Sequence, residues 1–263
     1  DAVRASHHML LSHGWATRLI RERVKNAEIG IVLNPVPGVP ASDTPEDREA
    51  FRRFDGVFNR WYLDPLYKGQ YPEDVLNDYA EDTSFEGKDY TFIEDGDTQV
   101  IAEKTDFLGI NYYSRAVIAS DTLENRAHRI PDVGPEMRTD MGWEVYPPGL
   151  YDLMMRVHQD YAPKAIYITE NGAAFKDTVN EDGQIEDTKR IKYFQDHLSE
   201  LHKAIVDKVP IQGYFAWSFM DNFEWAFGYT KRFGIVRVDY DTQERTVKNS
   251  GKWLKTVYDQ NGF

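Results

Sequence analysis

The stretch Ala165-Ile166-Tyr167-Ile168-Thr169-Glu170-Asn171-Gly172 is an apolar, β-branched segment that stops abruptly in Thr-Glu-Asn-Gly. Such a run reads as a strand of a parallel sheet, buried on both faces, that delivers an acid to the rim at its C-terminal end. Three other segments have the same form: Glu28 to Leu33 before Asn34, Asp106 to Asn111 before Tyr112-Tyr113-Ser114-Arg115, and Ile211 to Trp217 before Ser218. Helical periodicity separates them, over Asp1 to Arg23, from Thr44 to the Asp64-Pro65 break, over Gly149 to Tyr161 and over Thr188 to Val206. Strands that are apolar throughout and alternate with helices predict a parallel α/β fold, because helices must cover the faces of such a sheet. A closed eightfold barrel takes eight strand–helix units and typically about 250 residues; four units are legible.

Local signals sharpen several boundaries. Thr44-Pro45-Glu46-Asp47 combines a capping hydroxyl, a proline at the first helical position and acids in the first turn. Phe233 to Asp239 and Glu244 to Thr246 read as a small hairpin before a last helix, Lys248 to Asp259. Ser120 to Asp140 reads as a long polar loop. No repeat and no linker divides the sequence, so residues 1–263 are expected to form one segment.

Composition narrows the function classes. Lys and Arg number 31 against 44 Asp and Glu, a net charge of −13, which disfavours nucleic-acid and anionic-membrane partners. With 0 Cys there is no disulfide framework and no thiolate chemistry, which fits a reducing cytoplasm. No run is long enough to span a bilayer. His7, His8 and His13 have no partners at metal-ligand spacing, so no metal is expected there. The 6 Trp, 16 Tyr and 14 Phe suit a surface on which pyranose rings stack, although large aromatics also fill cores.

Each strand ends in a polar or aromatic group: Asn34, Asn111 with Tyr113, Glu170 with Asn171, and Trp217 with Ser218. In parallel α/β folds, residues at the C-terminal ends of strands converge on one pocket. A lone Glu after a strand also serves as a cap or an ion-pair partner; the coincidence of four strand ends favours chemistry. That chemistry is displacement at an anomeric carbon, in which an ionised carboxylate attacks while a second, protonated carboxyl about 5–5.5 Å away assists the leaving group. A phenol such as Tyr113 suits the task of holding the attacking carboxylate.

Ile168-Thr169-Glu170-Asn171-Gly172, Asp106-Phe107-Leu108-Gly109-Ile110-Asn111-Tyr112-Tyr113-Ser114, Trp217-Ser218-Phe219-Met220-Asp221-Asn222-Phe223-Glu224-Trp225 and Lys231-Arg232-Phe233-Gly234-Ile235 together resemble the family-one glycoside hydrolases, the β-glucosidase family. The resemblance runs from the first helix to the last. It implies the C-terminal half, strands five to eight, of a (β/α)8 TIM barrel. It also implies Glu170 as nucleophile with Tyr113 against it, and Asn111 lining the donor site. Trp217 would be the stacking floor and Glu224 an acceptor of sugar hydroxyls. Trp225 would donate through its indole N–H, Phe233 would close the edge, and Trp143 would be the aglycone platform. Glu224 favours an unphosphorylated glycone, since a carboxylate repels phosphate; glucose, galactose and fucose are not separated.

The family's acid/base lies in an Asn-Glu-Pro motif that does not occur here. The expected activity is therefore that of a retaining β-glycosidase needing an N-terminal half-barrel fragment, or self-association, with a β-glucoside or oligosaccharide as substrate. No cofactor is required by the covalent carboxylate mechanism. A half-barrel sugar-binding or scaffold module without catalysis is the alternative, and a transglycosylase a third.

Overall fold

In the computed structural model, residues 1–81, 90–120 and 133–263 are described. The loop expected over Ser120 to Asp140 therefore lies outside the described residues over 121–132; its remainder includes a 3-10 turn, Pro135–Met137. The helices are α1 (Ala2–Arg23), α2 (Pro45–Asp55), α3 (Trp61–Lys68), α4 (Glu73–Glu81), α5 (Asp97–Ile101), α6 (Pro148–Tyr161), α7 (Thr188–Val206) and α8 (Asn249–Gln260). The strands are β1 (Gly30–Leu33), β2 (Gly38–Pro40), β3 (Phe107–Asn111), β4 (Ala116–Ile118), β5 (Ile166–Asn171), β6 (Ile211–Ala216), β7 (Val236–Val238) and β8 (Arg245–Val247). The four strands expected from apolar runs form one sheet in the order β1-β3-β5-β6.

Two compact units make up the described residues. The first comprises the described parts of Asp1–Ile110, Ala116–Arg129 and Arg156–Tyr167. In it β1 lies parallel to β3, with Gly30 opposite Phe107 and Leu33 opposite Ile110. One core gathers Val3, Leu10, Leu11, Trp61, Leu66, Tyr71, Val75 and Ile101. The Thr44 cap forms as expected, its hydroxyl accepting from the Asp47 N–H at 3.3 Å. His7 is buried, bonded to Tyr71 Oη at 2.9 Å and Asp97 Oδ2 at 3.1 Å, and holds helices together.

The expected break at Asp64-Pro65 does not occur. A π turn over Gly56–Arg60 leads directly into α3, which carries Pro65 in its interior and ends at Lys68. An interior proline costs about 3 kcal/mol. Trp61, Leu63 and Leu66 are all buried, and burying each side chain contributes roughly 1.5–3 kcal/mol, so packing outweighs the break.

The second unit comprises Asn111–Arg115, the described part of Ile130–Met155, and Ile168–Phe263. Its core is Ala173, Tyr193, Phe194 and Leu254, with Tyr214, Ala216, Ile235 and Trp253 packed on it. The Tyr112 N–H donates to the Glu170 carbonyl at 2.9 Å and the Trp217 N–H to the Asn171 carbonyl at 2.9 Å, so the strand ends stay in register as they leave the sheet. The expected hairpin is present, with β7 antiparallel to β8.

Candidate active site

Every site residue named by the resemblance lies in the second unit, whereas Asn34, the remaining strand-end residue, lies in the first. Ile166 and Ile168 are fully buried on one side of β5, and Glu170 emerges at its C-terminal end. The Tyr113 hydroxyl donates to Glu170 Oε2 at 2.5 Å. Oε1 has no hydrogen-bond partner among the described residues. Burial, and then the bond to Glu170, push the Tyr113 phenol far above its ordinary range, so it is a neutral donor throughout the physiological range. The Asn111 side chain does not reach Glu170; its Oδ1 accepts from the Thr169 hydroxyl at 2.7 Å.

Two further aromatic rings pack beside Tyr113. Tyr113 lies 5.4 Å from Trp143 and 6.2 Å from Phe233, and Trp143 and Phe233 are 6.2 Å apart. Phe233 is fully buried, whereas Trp143 and Tyr113 are half-buried. Trp143 is held from behind. Its neighbour Glu144 takes both donors of the Arg115 fork, at 2.8 Å and 3.1 Å, and the guanidinium lies 3.7 Å from the centre of the Tyr146 ring.

Trp217 approaches through a glycine. A Cβ on Gly172 would lie 1.8 Å from the Trp217 carbonyl oxygen, so no other residue lets the ends of β5 and β6 converge this closely. The Trp217–Ser218 peptide bond is cis. The indole N–H of Trp217 donates to Glu224; burial and the Glu170 charge nevertheless raise the Glu224 carboxyl above its ordinary value. Glu224 is buried, whereas Trp225 is 84% exposed, with φ at 41°, and makes no ring contact with the Tyr113–Trp143–Phe233 group among the described residues.

The Trp217–Trp225 loop rests on a buried ionic network. Asp221 accepts from Arg232 at 2.6 Å, Lys248 at 3.0 Å and the Gly234 N–H at 3.0 Å. Lys248 also lies 2.5 Å from Asp177, which pairs with Arg190 at 3.1 Å, and Arg190 pairs with Asp187. Arg190 donates to the carbonyls of Ala173 and Arg232, next to the Glu170 and Phe233 segments. Of these, sequence reading marked only Asp221, with Asn222, as a residue that orders the loop instead of touching sugar; it missed Asp177, Asp187, Arg190, Arg232 and Lys248, and also Tyr193 and Tyr214. They are ordinary helix, strand and loop positions, and only the fold brings them together. Among the described residues no group of three or more His, Cys, Asp or Glu is placed to hold a metal ion, and no helix is long and apolar enough to cross a membrane.

The family model for Glycosyl hydrolase family 1 matches residues 1–263. Beta-glucosidase A of Acetivibrio thermocellus is 47% identical over 264 residues, which cover 100% of this chain and 58% of that relative. The 6-phospho-beta-galactosidase of Clostridium acetobutylicum is 36% identical, over 97% of this chain and 58% of the relative. The solved family 1 β-glucosidase from Thermotoga maritima superimposes with a TM-score of 0.89 at 44% identity, over 100% of this chain and 57% of that one. The chain thus spans under three fifths of the length of the relatives it matches, and its parallel sheet is part of their TIM barrel. On its sequence and its fold alike, the chain belongs to glycosyl hydrolase family 1.

Proposed function

We propose that the chain carries the nucleophile and sugar-binding part of a retaining β-glycosidase acting on terminal β-D-glucosyl residues, with galactosyl and fucosyl residues as related substrates. The observation that carries this is the Tyr113 hydroxyl, fixed at 2.5 Å on one oxygen of Glu170. A neutral donor on Oε2 orients the carboxylate and leaves Oε1 to attack. The C1–Oε1 bond forms as the bond from C1 to the aglycone oxygen breaks, and the electron pair leaves on that oxygen. Water then adds to C1 as the C1–Oε1 bond breaks; its proton passes to the second carboxyl, the one that assists the leaving group, and Glu170 returns as a carboxylate.

Trp143 and Trp217 offer ring faces and edges to the sugar and its aglycone, with Trp143 as the aglycone platform, and the buried Phe233 closes the edge by backing Tyr113 and Trp143. Asn111 lines the donor side, Glu224 accepts from glycone hydroxyls, and Trp225 donates through its indole. A carboxylate at position 224 supports an unphosphorylated glycone.

Protonation of a natural leaving group requires a second carboxyl, about 5–5.5 Å from the nucleophile in retaining enzymes. We assign it to an N-terminal half-barrel, met as a partner fragment, with self-association of this chain as the other arrangement. Two features support a covering partner: β1 and β6 are the outer strands of the sheet, and their Val32 and Phe215 are 49% and 57% exposed. A cytoplasmic location fits the lack of cysteine.

The test is covalent trapping with 2,4-dinitrophenyl 2-deoxy-2-fluoro-β-D-glucoside, whose phenolate departs without a proton donor. The expected result is one fluoroglucosyl group on the peptide containing Glu170, with one equivalent of dinitrophenolate released. Sugar binding without any label would overturn the catalytic reading and leave a binding module.

A further inference from the structure

Tyr112 and Tyr113 leave β3 where Glu170 and Asn171 end β5, and the alignment of these two pairs sets the phenol against the carboxylate. Tyr112 is held on both of its peptide groups by consecutive residues of β5. Its N–H donates to the Glu170 carbonyl at 2.9 Å, and its carbonyl accepts from Asn171 Nδ2 at 2.8 Å. In a regular parallel ladder a main-chain N–H would make that second bond; here a side-chain amide extends the ladder past the end of the strand.

Asn171 is fully buried, and both donors of its amide are used. Nδ2 also donates to Tyr193 Oη at 3.0 Å, and Oδ1 accepts from Tyr214 Oη at 2.8 Å. The Tyr193 hydroxyl in turn points at the Tyr113 carbonyl, 3.4 Å away. One amide therefore joins the exit of β3, the end of β5, Tyr214 of β6 and Tyr193 of α7. Reversing the amide would set Oδ1 against the Tyr112 carbonyl, two acceptors facing one another, so the network admits one orientation.

We propose that Asn171 is a positioning residue: it locks the Tyr112–Tyr113 peptide to β5 and thereby fixes the Tyr113–Glu170 hydrogen bond, with Tyr193 and Tyr214 holding its amide in place. The positioning claim concerns geometry; its effect on rate rests on Glu170 being the nucleophile. A misplacement of about 1 Å at a reacting group costs on the order of 100-fold in rate.

Asn171→Asp keeps the shape and replaces both donors by acceptors; Tyr214→Phe removes only the hydroxyl that holds Oδ1. Both are compared with the unmodified full chain by crystallography and by the kinetics of fluoroglucosyl labelling. For Asn171→Asp the Tyr113–Glu170 separation is expected to leave hydrogen-bond range. The maximal labelling rate should fall about 100-fold, while the half-saturating reagent concentration changes less than about threefold. A purely structural defect would instead lower the fraction of chain that labels without slowing the fraction that does.

A folded Asn171→Asp variant with the 2.5 Å contact intact and the labelling rate unchanged overturns the proposal. Should that variant fail to fold, Tyr214→Phe decides: about a tenfold loss in maximal rate supports the proposal and an unchanged rate overturns it. If the unmodified chain takes no label, the nucleophile assignment falls, and the Tyr113–Glu170 separation in the variant crystals alone decides the positioning claim.

Discussion

Replacing Tyr113 by Phe removes one hydroxyl and keeps the ring between Trp143 and Phe233. The deleted interaction is a 2.5 Å hydrogen bond from a neutral phenol to a carboxylate, in a half-buried setting. A bond to a charged group contributes about 1.5–3 kcal/mol, and about 1.4 kcal/mol corresponds to a factor of ten. The structure sets two effects against each other. Without the phenol, Oε2 loses its only partner among the described residues and the carboxylate turns more freely, which slows attack. The released oxygen is also a stronger nucleophile, which speeds it. Orientation dominates, because the phenol binds the oxygen that does not attack and so costs Oε1 little nucleophilicity. The expected outcome is a fall of about 10- to 150-fold in the maximal rate of fluoroglucosylation of Glu170, read from dinitrophenolate release and confirmed by peptide mapping. Affinity for the reagent should change little, since the ring faces remain. A rate within twofold of the unmodified chain would refute the reasoning.

Other perturbations probe the surrounding scaffold. The Glu224 carboxyl is raised above its ordinary value by burial and by the Glu170 charge, so it stabilises the fold below pH about 4.5 and that contribution is lost as pH rises through the folded value. Glu224→Gln should match the unmodified chain in thermal stability at pH 4 and exceed it at pH 7; a constant difference would discount the effect. Burial lowers the His197 imidazole from 6.5 to about 4. Stability should therefore fall by roughly 3 kcal/mol between pH 6.5 and pH 4, and His197→Phe should flatten that limb in urea titrations. Lys248→Met leaves Asp221 and Asp177 short of a cation and should cost about 3–5 kcal/mol, measurable by chemical denaturation; a loss below 1 kcal/mol would show that water reaches the network.

The strand and helix pattern was legible because buried parallel strands are apolar throughout and stand apart from helical periodicity. α7 spans the expected Thr188–Val206, and Glu170 and Tyr113 meet as their strand-end positions implied. Tertiary effects were not legible. Packing around Trp61 and Leu66 carries α3 through Pro65, and β2 and β4, three residues each, are too short to show any period. The support around the site was hidden for another reason. Asn171 sits inside the most informative motif of the chain, yet its partners, Tyr193 and Tyr214, lie 22 and 43 residues away and carry no mark of their task.

The network of Asp177, Asp187, Asp221, Arg190, Arg232 and Lys248 sets three negative groups against three positive ones, all of them buried except the partly exposed Arg232. Neutrality of that kind belongs to the set and to no single member. A library that varies one position at a time will score each of the six as intolerant, whatever its distance from the sugar. Only coordinated exchanges, an acid and its cation replaced together by apolar residues of similar volume, would open this region to redesign without detaching the Glu224 loop from the floor on which it stands.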